Sequence, residues 1–69
     1  MKTLLKTNIN GQQLFLSNDG LATDRVDNAK EFRDLSDASI CAVHQNTDEA
    51  WSKFGVRFEP VQLLWSEHQ

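Results

Sequence analysis

The chain has 69 residues, enough for one small domain and little room for the enclosed pocket that most enzymes use. With 39 % hydrophobic and 25 % charged residues it is foldable rather than disordered, and a net charge of −3 disfavours a nucleic-acid binder. One cysteine allows no intramolecular disulfide, and no apolar run approaches the ~18 residues of a membrane span, so a cytoplasmic, reducing setting is expected.

Lys6 interrupts the apolar start Met1-Lys2-Thr3-Leu4-Leu5 where a signal peptide would continue its core, so the chain is expected to begin directly with structure. No repeat or linker is visible, and residues 1–69 read as one domain. Asn10-Gly11 tolerates positive φ at both positions, as a type I′ hairpin turn requires. It predicts strands over residues 3–9 and 12–17. The two-residue turn fixes the register, with Ile9 opposite Gln12, Thr7 opposite Leu14, Lys6 opposite Phe15, Leu5 opposite Leu16 and Leu4 opposite Ser17. One face then carries Leu5, Thr7, Ile9, Leu14 and Leu16 and is the expected core face. The other carries Leu4 and Phe15.

Asn18-Asp19-Gly20 predicts a second turn, followed by a short third strand over 21–24. Asp24 is expected to cap the irregular stretch after it, from which Ala29 and Phe32 tuck into the core. A continuous helix over 37–54 is then expected, with Ser36 as N-cap and Gly55 as the stop. Its core stripe is read as Ile40, Val43, Thr47, Ala50, Trp51 and Phe54 at spacings of three and four. The alternative is a break at Asn46-Thr47-Asp48, with Thr47 capping a second helix. The last strand, 56–65, changes phase at Glu59-Pro60, from Val56 and Phe58 to Val61, Leu63 and Trp65. A proline there predicts an edge or a bulge.

The expected fold is α+β: a small three- to four-stranded, mostly antiparallel sheet with one helix on one face. The element order is strand, strand, strand, helix, strand. A right-handed crossover would give strand order 3-2-1-4 with the first and last strands parallel.

Asp37, Cys41, His44 and Asp48 share one helical flank and are metal-ligating types. No CxxC-type spacing accompanies them, and the ordinary role for Cys41 is apolar filler. Asp37 and Asp48 also make a poor setting for a reactive thiolate. No nucleophile elbow or phosphate loop is present. No cofactor, metal site or catalytic residue is assigned, and an enzyme is not expected. Asp19, Asp24, Asp27, Glu31 and Asp34 are the candidates for an acidic surface that steers a basic partner. One helix covers one sheet face, so Leu4, Phe15, Leu63 and Trp65 are the partner-binding candidates on the open face, unless a loop such as 26–35 folds over it.

The succession Leu14-Phe15-Leu16, Leu21-Ala22-Thr23-Asp24, Ala29-Lys30-Glu31-Phe32, helix, Gly55-Val56-Arg57-Phe58-Glu59-Pro60-Val61 resembles the layout of many small bacteriophage and mobile-element proteins. Some proteins of this layout inhibit CRISPR systems or host RNA polymerase. Here Ser39-Ile40-Cys41-Ala42-Val43-His44 is more apolar than their Glu-, Ala- and Lys-rich helices. The resemblance covers roughly residues 12–64, carries no functional residue across, and implies a non-enzymatic protein-binding module that blocks a host protein. The alternative is a self-associating homodimer.

Overall fold

The computed structural model describes residues 2–63 of the chain; Trp65, one of the partner-binding candidates, lies outside them. Four strands form one antiparallel sheet: β1 Lys2–Ile9, β2 Gln12–Leu16, β3 Ala22–Thr23 and β4 Glu59–Leu63. Their order is β3-β2-β1-β4. The hairpin turn has Asn10 and Gly11 at φ 54° and 82°, the left-handed values a type I′ turn needs. The register it sets pairs Ile9 with Gln12 and Lys6 with Phe15, as expected from the sequence.

β2 departs from that register at its end. Ser17 bridges to Ala29 rather than to Leu4, and Thr3 bridges to Phe32. The Lys30 N–H donates to the Leu16 carbonyl and the Phe32 N–H to the Thr3 carbonyl, both at 2.8 Å. The segment after β3 therefore returns along the open end of the sheet. This return reverses the expected direction of β4. The chain is brought back to the start of β1 before the helices begin, so the helices carry it forward and β4 descends antiparallel to β1, from Lys6↔Glu59 to Lys2↔Leu63.

The helix is broken. α1 spans Leu35–Thr47 and α2 spans Glu49–Ser52. Asp34, not Ser36, caps α1: its carboxylate accepts from the Asp37 N–H at 2.9 Å. Asp48, not Thr47, caps α2, accepting from the Ala50 N–H at 2.9 Å. A carboxylate accepts these orphan donors at least as well as a hydroxyl and also suits the positive end of the helix dipole. After α2 the Val56 N–H donates to the Trp51 carbonyl and the Gly55 N–H to the Ser52 carbonyl. This Schellman arrangement needs a left-handed residue, and Gly55 has φ 73°. No atom stands within 4 Å of an added Cβ, so Gly55→Ala is expected to meet only the backbone penalty, about 1 kcal/mol. A melting temperature equal to wild type would contradict the left-handed stop.

Two apolar clusters lie on opposite sides of the sheet. Under the helices are Leu5, Leu16, Ala38, Ala42, Val56 and Phe58, joined by half-buried Ile9, Phe32, Cys41 and Trp51. On the other side Leu4, Phe15 and Ala29 pack with Val26, Val61 and Leu63. Val26 belongs to a 3-10 turn, Val26–Asn28, which the loop lays over the sheet. Arg25 N–H bonds the Thr23 hydroxyl at 3.1 Å, so Thr23 rather than Asp24 orders the entry to this loop.

Covering both faces also explains the phase change in the last strand. The pairing of β4 with β1 is continuous through Leu5↔Pro60, with no bulge. Val56 and Phe58, which precede β4, supply the helix side, and Val61 and Leu63 supply the loop side. Pro60 sits on an edge strand, the position in a sheet that accommodates a proline.

Candidate functional site

The sheet face is not open. Leu4 is fully buried and Phe15 is 4 % exposed, both under the 26–29 loop. Leu63 is half-buried against the same cluster. The expectation that these three residues present an exposed apolar face is corrected. Strands buried on both faces read as continuous apolar runs, and Thr3-Leu4-Leu5 is buried throughout.

The acidic candidates are engaged in different ways. Asp19 belongs to the turn before β3: its carboxylate accepts from the Ser17 hydroxyl and, at 3.3 Å, from the Leu21 N–H. These bonds, the Ser17 one first, hold the Asp19 carboxyl below its ordinary range. Asp19 and Asp27 line a shallow hollow of about 430 Å³ with Ser17, Thr23 and Asn28. Asp24 and Glu31 are exposed, and Asp34 is occupied as the α1 cap.

The residues of the Asp37–Asp48 flank are engaged separately. Asp37 pairs with Arg33 at 3.1 Å, Cys41 packs on the core, His44 is exposed, and Asp48 caps α2. Among the described residues, no three His, Cys, Asp or Glu side chains gather as metal ligands. No described helix is long and apolar enough to cross a membrane.

Among the described residues the exposed large apolar side chains are Leu21, Leu35, Ile40, Val43 and Phe54, and Ile40 and Val43 stand together on α1. α1 turns Ala38, Ala42 and half-buried Cys41 toward the sheet, so Ile40 and Val43 point outward at 60 % and 63 % exposure. Small helical residues let α1 approach the large side chains that the sheet contributes, Leu5, Leu16 and Phe58. On the helix wheel Ser36, Ile40, Val43 and Thr47, spaced four, three and four, share this outer face, and none carries a charge. Phe54, just after α2, is 73 % exposed, with the Lys53 ammonium 5.2 Å from its ring centroid.

A second feature joins the turn before β3 to the helices. Gly20, Leu21, Gln45, Asp48, Ala50 and Trp51 line a groove of about 380 Å³. The Trp51 indole is held by a 2.9 Å hydrogen bond to Gln45 Oε1 and an edge-on contact with Phe58, centroids 5.2 Å apart. The spacing of Ile40, Val43 and Phe54 was visible in the sequence. That spacing predicts burial, but α1 buries its alanines instead, which leaves Ile40 and Val43 outside, and Phe54 lies beyond the end of α2. Comparison of the chain with protein-family models, curated proteins and solved structures gives no match.

Proposed function

We propose that the chain is a non-enzymatic protein-binding module of the cytoplasm that engages its partner through the outer face of α1. The supporting observation is the pair Ile40 and Val43, two large β-branched side chains one turn apart, exposed beside uncharged Ser36 and Thr47. Isolated exposed apolar residues are ordinary, but a stripe without charges is the composition of an interface centre. The resemblance in layout to phage inhibitors extends the proposal to occlusion of a host protein, with the exposed acidic residues Asp24, Asp27 and Glu31 raising the rate of encounter with a basic partner through their long-range field.

A photo-crosslinking residue placed at position 43 in cells should give discrete protein adducts, while the same residue at exposed Asn28 should give none. Ile40→Asp/Val43→Asp should abolish partner capture with a melting temperature close to wild type, since exposed substitutions change stability by only about 0.5 kcal/mol. Equal adducts at both positions would reject this face.

A further inference from the structure

The groove and Phe54, the most exposed aromatic among the described residues, are complementary. The groove has an apolar floor of Leu21, Ala50 and Trp51, one carboxylate, Asp48, and no cation among its lining residues. Leu21 is 61 % exposed, so the floor is open to a ligand. Phe54 projects into solvent with the Lys53 ammonium stacked on its ring. An aromatic ring with an attached cation is what an apolar groove with a single anion would accept. Groove and knob are close in the chain, with Phe54 three residues after Trp51.

We propose that the chain self-associates through groove and knob, Phe54 of each copy entering the Leu21–Trp51 groove of the other while Lys53 meets Asp48. A two-fold axis near Ala50–Trp51 runs the two 48–54 segments antiparallel and brings both contacts about at once, which is the self-complementary geometry of a symmetric dimer. The rigid Trp51 ring leaves the groove preformed, so little order is lost on docking. The surface is small, and a stable dimer buries about 800 Å² on each partner, so the association is weak and concentration-dependent. It leaves the Ile40–Val43 stripe out of the contact and does not depend on that stripe binding a foreign partner.

The test is mass-average molar mass by sedimentation equilibrium from about 10 μM to about 1 mM, the range that reads dissociation constants weaker than micromolar. Wild type should rise from 7.9 kDa toward twice that value. Phe54→Asp should remain monomeric throughout. Lys53→Glu and Asp48→Lys should each be monomeric alone, because like charges then face one another, and should associate when mixed, because the mixture restores both opposite pairs. Since Asp48 caps α2, Asp48→Asn, which retains the cap, serves beside it and should weaken association at least threefold. Circular dichroism confirms that each variant is folded. A wild-type monomer at every concentration would overturn the proposal, as would association unchanged by Phe54→Asp. Association removed by Val43→Asp but not by Phe54→Asp would also overturn it and assign the contact to α1. Loss of partner capture with retained self-association would bear only on the α1 face.

Discussion

Phe15→Ala is expected to leave the protein largely unfolded at 25 °C. Phe15 is 4 % exposed, and it packs with Leu4 and Ala29 on the sheet face opposite the helices. Truncating a buried phenylalanine loses about 3–5 kcal/mol through the transfer of the ring and the cavity left behind. A core in a chain below 70–80 residues supplies only about 3–5 kcal/mol in all, so this one change removes most of the stability. The loop above Phe15 closes on it through Val26 and Ala29 and is tied at two points, Lys30 to Leu16 and Phe32 to Thr3. Its short length limits how far it can collapse into the space, which favours the upper end of the range. Urea denaturation followed by far-ultraviolet circular dichroism reads the loss. Phe54→Ala is the matched control at 73 % exposure and should shift stability by about 0.5 kcal/mol or less. A loss at Phe15 no larger than at Phe54 would mean that the loop does not cover the sheet.

Phe15 also shows how far the sequence could be read. The turn at Asn10-Gly11 has local chemistry strong enough to fix a register, and the pairing from Lys6↔Phe15 to Ile9↔Gln12 follows it. Strand order was legible too, because few arrangements of three strands, a helix and a strand avoid crossed connections. What lies between elements was not. Whether β4 runs with β1 or against it depends on which end of the sheet the chain has reached when α1 begins. That is decided by two backbone hydrogen bonds from Lys30 and Phe32, and no side-chain pattern encodes them. The same loop decides whether Leu4 and Phe15 are an interface or a core. α1 misleads for another reason. Its apolar residues Leu35, Ala38, Ile40, Cys41, Ala42 and Val43 occupy most of the helix circumference, so periodicity admits two burial faces. Packing against the large sheet residues chooses the face with small side chains, and the larger Ile40 and Val43 are left outside. The candidate binding surface was therefore present in the sequence as a stripe whose direction only the packing supplies.

Asn46→Ala should lower stability by about 2 kcal/mol although no apolar contact is removed. The Asn46 amide donates to the Phe58 carbonyl at 3.1 Å, and its oxygen accepts from the Phe58 N–H at 2.7 Å. Residues 56–58 precede β4, so Phe58 has no partner in the ladder, which begins at Lys6↔Glu59. The side chain of Asn46 stands in for a neighbouring strand, with one donor and one acceptor in the spacing a backbone would offer. Its loss leaves two part-buried backbone groups unpaired, each worth about 1–3 kcal/mol where water cannot reach and less where it can. The consequence reaches the helices, because Phe58 is the edge-on partner of Trp51, which stands one turn before the Gly55 stop. Asn46→Asp separates the two bonds. The carboxylate still accepts from the Phe58 N–H but has no proton for the Phe58 carbonyl, so stability should fall while the Phe58 amide remains protected from hydrogen exchange. In Asn46→Ala that amide should exchange faster along with the stability loss. Asn28→Ala, at an exposed asparagine, should change neither quantity. Unaltered Phe58 exchange in Asn46→Ala would show that this bond pair does not hold the 56–58 segment against α1.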